Sequence, residues 1–275
     1  MRIYNLGIEK TGTASLAGLL RNSSSVHEYN FNETIAKITY LKKGIINKCE
    51  FEDYIIDRES NREESIIDIS TTNHFYADIL LNKIPSSKFI LTIRDVESWF
   101  ISELNWIALI NKLLYFSPIT YPSENGFETL EFSCTNMIDY IETKTGGSYS
   151  MFTEPTTINT ADYEIKNNII KLLLNSNMME DILKYYYSSN RKVIDLIPKE
   201  RLLILNINNI SKSGKAISEF CEIEQTSLDS SRSRENVSSC RYDYFDYFKD
   251  SVVKTRFNKL LTTLQNKPTN ISISR

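Results

Sequence analysis

The chain has 275 residues, 41% of them hydrophobic and 24% charged, and its formal net charge is −3. That length can bury a full core in one large domain or two small ones. The small net charge excludes a global attraction to nucleic acid or to an anionic membrane surface, so any basic site must be local.

The four cysteines and the apolar runs bear on the compartment. No two of the cysteines form a C-x-x-C pair, which excludes the usual zinc pattern and a disulfide framework. Free thiols are typical of a reducing compartment, and we therefore expect a cytoplasmic protein. No signal peptide is visible, and no apolar run approaches the roughly 20 residues of a membrane helix, so we expect no membrane span.

Apolar runs that suit strands alternate with segments of helical spacing. Residues 88–93, KFILTI, are the clearest buried strand, because they are apolar and are followed by a charged pair. Residues 116–160 hold three prolines and three glycines and are predicted to be irregular. In chain order, the predicted elements are strand 3–6, helix 13–21, strand 65–70, helix 74–84, strand 88–93, helix 96–114, one or two helices over 162–197, strand 202–207, helix 213–223 and a terminal helix from about 241 to 265.

This alternation predicts an α/β fold with three layers, in which helices cover both faces of a central parallel sheet. Ligands of such sheets bind at the carboxyl ends of the strands. The loop after the first strand and Arg94, which follows strand 88–93, should therefore lie at the same edge. Two separate sequence features indicate one cleft.

The first feature is the stretch IYNLGIEKTGTASL at residues 3–16. Gly7 and Gly12 have the spacing of a nucleotide-binding loop, but Thr13 follows the second glycine and Lys10 precedes it. The backbone amides of residues 11–14 would open a helix and face an anion, and Thr13 and Ser15 would add hydroxyl donors. The alternative interpretation is an ordinary turn between a strand and a helix.

The second feature is Arg94 with Ser102, which lies eight positions further on, about two helical turns. Together these side chains could bind a second phosphate from the side. The alternative is a salt-bridged arginine and an exposed helical serine.

Both features resemble the sulfotransferases that use 3′-phosphoadenosine 5′-phosphosulfate (PAPS). Their phosphosulfate loop reads roughly K-[ST]-G-T-[TAS], which Lys10-Thr11-Gly12-Thr13-Ala14 matches. Their 3′-phosphate motif is a strand, an arginine and a serine eight positions later, and KFILTIRDVESWFIS at 88–102 is similar to it. The resemblance is strongest to a branch with the loop TGTASL, and it covers about residues 1–24, 65–106 and 182–225.

The resemblance implies a P-loop NTPase-like sulfotransferase fold over residues 1–275, with a mostly helical insertion. It also implies transfer of a sulfonate from PAPS to a hydroxyl or amine of an acceptor, with no metal. The polar loops, rich in Asn and Ser, favour a glycan or a small metabolite as the acceptor, and the small net charge argues against a nucleic-acid partner. Residues 107–180 would be a variable segment that contacts the acceptor and could form a lid. Cofactor contacts would come from Lys10, which also stabilises charge on the bridging oxygen, and from Thr11, Gly12, Thr13, Ala14, Ser15, Arg94 and Ser102.

The general base and one phosphate contact stay open at this stage. Asp68, at the end of a predicted strand, and His74, 20 residues before Arg94, are the first candidates for the base. Other branches of the family use a glutamate after the first helix as the base, which makes Glu28 or Glu33 a further candidate. The glycine-rich R-K-G segment of the hormone-type enzymes is absent, and Arg232 or Arg234 could substitute for it.

Two other functions remain compatible with the sequence. A P-loop kinase for a nucleotide or small molecule would use Mg²⁺-ATP, but it would need a lysine where Thr13 stands. A non-catalytic protein of the same fold would bind the nucleotide without turnover.

Overall fold

A computed structural model describes residues 1–62, 66–113, 120–123, 126–129, 160–232 and 246–265. The chain forms two compact units, of which the first comprises residues 1–94 and 192–238 and the second comprises residues 95–191 and 239–275. Arg234 and much of the predicted variable segment lie outside the described residues.

The described elements alternate as the sequence predicts. The strands are β1 (Ile3–Asn5), β2 (Ser25–His27), β3 (Ile67–Ile69), β4 (Lys88–Ile93), β5 (Thr120–Ser123), β6 (Gly126–Thr129) and β7 (Leu202–Asn206). The helices are α1 (Thr13–Leu19), α2 (Phe31–Lys42), α3 (Lys48–Ser60), α4 (Ala77–Lys83), α5 (Val96–Leu113), α6 (Thr160–Asn175), α7 (Met178–Leu196), α8 (Gly214–Cys221) and α9 (Ser251–Gln265). Short 3₁₀ turns cover Asn73–Tyr76, Lys199–Arg201, Ile207–Lys212, Gln225–Ser227, Ser230–Arg232 and Tyr247–Lys249.

The first unit contains a five-stranded sheet in the order β2-β3-β1-β4-β7, with every pair parallel. Ile3 pairs with Ile67 on one side of β1, and Tyr4 pairs with Phe89 on the other. Central strands of a parallel sheet are covered on both faces, which explains why KFILTI is nearly continuously apolar. The predicted α/β fold with a parallel sheet is confirmed.

Helix α1 packs its apolar face on this sheet. Leu16, Leu19 and Leu20 are almost fully buried and belong to a cluster with Ile3 and Ile90. Burying one leucine side chain contributes about 1.5–3 kcal/mol, so these three contacts hold α1 against the sheet. The loop between β1 and α1 is therefore attached to rigid elements at both ends.

Three of the described elements were not predicted from the sequence: β2, α2 and α3, which fill most of the stretch between α1 and β3. Helix α3 begins with a capping box: Asn47 Oδ1 accepts from the Glu50 amide at 3.1 Å, and the Asn47 amide donates to Glu50 Oε2 at 2.8 Å. Its buried face carries two apolar residues, Phe51 and Ile55, and then two charged ones, Arg58 and Glu59.

The second unit begins with α5, whose first turn is capped by Asp95 Oδ1 accepting from the Ser98 amide at 2.8 Å. Trp99 packs on Tyr186, with ring centroids 4.7 Å apart, and Phe100 packs on Phe257 at 5.0 Å. These aromatic residues form core contacts. Within the stretch predicted to be irregular, β5 and β6 pair as antiparallel strands. Among the described helices, none combines the length and the apolar character needed to cross a bilayer.

Candidate functional site

Buried contacts of Gly7 and Thr11 with Thr92 hold the loop between β1 and α1 against β4. Thr11 is fully buried, and its hydroxyl donates to the Ile8 carbonyl at 2.5 Å and lies 3.0 Å from Thr92 Oγ1. The Thr11 amide also bonds to the Ile8 carbonyl, at 3.3 Å. A Cβ at Gly7 would lie 1.9 Å from Thr92 Oγ1, so only glycine fits this approach. Thr11 therefore shapes the loop with its hydroxyl and its amide.

The outer part of the loop has an unusual backbone. Lys10 has φ 59° and Gly12 has φ 103°, both in the left-handed region. A Cβ at Gly12 would lie 2.1 Å from Ile207 Cδ1, so the loop also approaches the turn after β7 closely. A non-glycine residue with positive φ costs about 1–2 kcal/mol, and such strain clusters at binding sites. The strain at Lys10 supports a ligand-binding role for this loop.

Replacing Gly12 with alanine should disrupt the loop, whereas replacing Gly44 with alanine should not. Both glycines have positive φ, but the space around Gly44 is open, with nothing within 4 Å of an added Cβ. Gly44→Ala should therefore lower the free energy of unfolding by only the backbone cost of about 1–2 kcal/mol. Gly12→Ala must in addition displace Ile207. Urea denaturation and nucleotide titration of both variants would test this, and equal effects in the two variants would contradict the loop geometry.

The cationic side chains of the predicted cofactor site follow two adjacent strands. Lys10 follows β1, and Arg94 directly follows β4; both are partly exposed. Neighbouring strands lie about 4.8 Å apart, so the carboxyl ends of β1 and β4 form one edge. Ser102 is a partly exposed residue of α5, in the second unit. Thr13 and Ser15 lie in the first turn of α1 and are mostly buried.

The two first candidates for the base are buried. Asp68 lies within β3, has no exposed surface, and pairs with Arg58 Nη2 at 2.8 Å. Burial raises the pKa of the Asp68 carboxyl, and the nearby guanidinium of Arg58 opposes that rise. His74 lies in the 3₁₀ turn after β3, where burial lowers its pKa to about 3 and its Nδ1 lies 2.6 Å from the Thr71 carbonyl. His74 is thus a neutral, weakly basic imidazole.

Glu28 lies at the carboxyl end of β2 and is better placed than either. Its side chain is 15% exposed, and it accepts hydrogen bonds from Ser70 Oγ at 3.0 Å, from the Thr71 amide at 3.2 Å and from Thr71 Oγ1 at 3.1 Å. Burial raises the pKa of Glu28 to about 7, the three donors partly oppose this, and the charge of Asp68 adds to it. A carboxylate with a pKa near neutrality suits proton transfer.

The remaining candidates lie at the periphery. Glu33 is exposed on the first turn of α2. Arg232 forms an ion pair with Asp229 at 3.7 Å and borders a groove that also touches Ala14 and His27. This contact brings Arg232 beside the start of α1, on the side of β2. In the described part of the chain, no group of three or more His, Cys, Asp or Glu side chains could hold a metal ion.

Comparison with known proteins agrees with this geometry. A family model described as a sulfotransferase domain matches residues 2–227, a range that contains the loop of Lys10, all five strands of the parallel sheet, and Arg94. A search of curated proteins found no match. Sulfotransferase domains transfer sulfonyl groups, so the match indicates a transferase. Because this one family model spans more than half of the chain, the protein belongs to the sulfotransferase domain family.

Proposed function

We propose that the protein transfers a sulfonate group from PAPS to a hydroxyl or amine of an acceptor molecule. The observation that carries the proposal is the sulfotransferase domain match over residues 2–227, a range that includes the strained loop of Lys10 and Arg94, which directly follows β4. The free thiols of Cys49 and Cys221 favour a cytoplasmic location for this reaction.

The side chains at this edge of the sheet suit PAPS better than ATP. Lys10 precedes Gly12, so it would lie near the bridge between phosphate and sulfonate, where negative charge grows as the S–O bond breaks. Arg94, at the carboxyl end of the sheet, would hold the 3′-phosphate, a group that ATP lacks. When bound, PAPS supplies the activated sulfonate, and its transfer leaves adenosine 3′,5′-bisphosphate (PAP). This assignment requires no metal.

Glu28 is the base in this proposal. A base must reach the proton of the acceptor, and the partly exposed carboxylate of Glu28 can do so. Asp68 has no exposed surface and is held by Arg58, and His74 is buried with its pKa lowered to about 3. Only β3 separates β2 from β1, so Glu28 lies roughly 10 Å from the end of β1 along the sheet. In this proposal the acceptor hydroxyl would lie between Glu28 and the sulfonate.

The acceptor is proposed to be a glycan or a small metabolite. Arg232, beside the start of α1, is proposed to assist phosphate binding in place of the missing R-K-G segment. Both assignments can be examined once the donor nucleotide is known.

A thermal-shift series tests the donor first, using PAP, PAPS, ADP, GTP and ATP with Mg²⁺ side by side. A ligand at one hundred times its dissociation constant adds about 2.7 kcal/mol of stability, which raises the melting temperature visibly. We expect a clear shift with PAP and PAPS and little with ADP, because the 3′-phosphate is read. A shift with Mg²⁺-ATP alone would replace the sulfotransferase proposal with a kinase. PAP binding without turnover across an acceptor screen would identify a non-catalytic binding protein.

A further inference from the structure

The turn that carries Glu28 has a strained backbone. Glu28 has φ 56° and Asn30 has φ 47°, and neither is a glycine. Such conformations persist only where surrounding contacts hold them. One such contact is a hydrogen bond from Arg58 Nη2 to the carbonyl of Tyr29, at 2.8 Å. The Arg58 guanidinium also lies 5.0 Å from the centre of the Tyr29 ring.

Arg58 reaches this turn from α3 through a buried charge network. Its side chain is fully buried, and the same Nη2 donates to Asp68 Oδ2 at 2.8 Å, while Nη1 pairs with Glu59. The rigid, planar guanidinium fork can make these contacts together, which a lysine ammonium cannot. Asp68 is the register partner of Val26 in β2, so the ion pair lies close to the strand that leads into the turn.

Stability alone does not account for an arginine at this position. Phe51 and Ile55 occupy the same buried face of α3 and are apolar. Replacing a buried ion pair by well-packed apolar side chains is often neutral or stabilising. Within the described residues, Arg58 Nε and Asp68 Oδ1 also have no hydrogen-bond partner, so the network is not optimised for stability. Its directional contact with the Tyr29 carbonyl is what an apolar residue could not supply.

We propose that Arg58 is a positioning residue for Glu28: it fixes the turn 28–30 through the Tyr29 carbonyl, and Asp68 holds Arg58 in place. The inference rests on the proposed role of Glu28 as the base. It gives Asp68 a role that does not require contact with the acceptor, because Asp68 acts through Arg58. Two neighbouring groups can affect the titration of Glu28. They are His27, whose Nε2 lies 3.8 Å from Glu28 Oε1, and Asp68 on the neighbouring strand.

The test compares Arg58→Lys with Arg62→Lys. Both arginines are buried, both pair with Glu59, and both act on the charge of Asp68. The hydrogen bond to the Tyr29 carbonyl comes from Arg58. Both variants keep the charge, so a difference between them reports on position. The readout is the pKa of Glu28, followed by NMR of its carboxyl carbon and assigned by the resonance missing in Glu28→Gln. A His27→Gln background removes the neighbouring imidazole.

In Arg58→Lys, the turn should relax towards solvent and the pKa of Glu28 should fall by about one unit or more. In Arg62→Lys, it should stay within about 0.3 unit of the wild-type value. Equal pKa values in the two variants would overturn the proposal. If Arg58→Lys does not fold, Asp68→Glu, which keeps the negative charge but displaces the carboxylate that holds Arg58, should shift the pKa in the same direction by a smaller amount. An unchanged pKa in that variant would also overturn the proposal.

Titration with PAP separates this inference from the proposed function. Arg58→Lys should bind PAP with an affinity within about threefold of the wild-type value, because Lys10 and Arg94 are unchanged. Failure of the wild-type protein to bind PAP would remove the proposed function. The pKa of Glu28 would still decide whether Arg58 positions the turn.

Discussion

Replacing Glu28 with glutamine should reduce sulfonate transfer by about 10²- to 10⁴-fold, the usual contribution of a general base. Glutamine keeps the size of the side chain and one acceptor oxygen for the two Thr71 donors, but it cannot take a proton. The measurement is the amount of PAP released from PAPS in the presence of an acceptor. That acceptor comes from a screen of hydroxyl and amine compounds. The matched control is Glu33→Gln, at an exposed position in the first turn of α2, and it should keep wild-type activity. Equal activity of wild type and Glu28→Gln would exclude Glu28 as the base.

The pH dependence gives a second readout of Glu28 that requires no acceptor. Its pKa is about 7 in the folded protein against 4.5 for the ordinary group, so the folded state binds more protons between these values. The free energy of unfolding therefore falls as pH rises from 4.5 to 7, and Glu28→Gln lacks this loss. Between pH 5 and pH 8, the free energy of unfolding of Glu28→Gln, measured by urea denaturation, should rise by about 2 kcal/mol relative to that of wild type. An identical pH response of the two proteins would contradict a buried, protonated Glu28.

In catalysis the sign is reversed: wild-type activity should rise through pH 7, because the base must be ionised.

Replacing Arg94 with alanine should weaken PAP binding by about 10- to 100-fold, because hydrogen bonds to a charged phosphate contribute about 1.5–3 kcal/mol. Adenosine 5′-monophosphate lacks the 3′-phosphate, so its affinity should be the same in wild type and variant. Isothermal titration of both nucleotides measures the difference.

The variant control for this experiment is Lys215→Ala, which removes an exposed cation that pairs with Glu219 on α8. It should bind PAP as wild type does. An Arg94→Ala protein that binds PAP normally would mean that Arg94 does not read the 3′-phosphate, and a loss of both nucleotides alike would indicate a damaged loop.

The sheet could be predicted largely from sequence because its central strands are apolar on both faces. The predicted strand at residues 88–93 coincides with β4, and the predicted strand 202–207 ends one residue beyond β7. The edge strand β2 was missed because it has three residues and only one of them, Val26, is apolar. Helix α3 was missed because its buried face contains Arg58 and Glu59, which weaken the apolar periodicity. Its capping box, Asn47 with Glu50, was the available signal.

The candidate site was predictable where the chemistry is local and uncertain where it depends on burial. Arg94 directly follows β4, and Lys10 and Gly12 lie in the loop after β1, so their place at the sheet edge follows from the order of the elements. Sequence spacing ranked Asp68 above Glu28, because a strand-end carboxylate looks the same whether it meets solvent or an arginine. Burial and hydrogen bonding, which distinguish these two carboxylates, depend on residues far apart in the chain.

The pairing of β4 with β7 has a consequence for synthesis on the ribosome. Phe89 in β4 pairs with Leu202 in β7, so the whole of residues 94–201 must be translated before this edge can close. Until then the nascent chain presents a β4 edge that contains Ile90 and Leu91, both fully buried in the finished protein. Open, apolar strand edges template aggregation, and late long-range pairing slows folding. Slower translation and a larger chaperone supply should therefore raise the yield of folded protein.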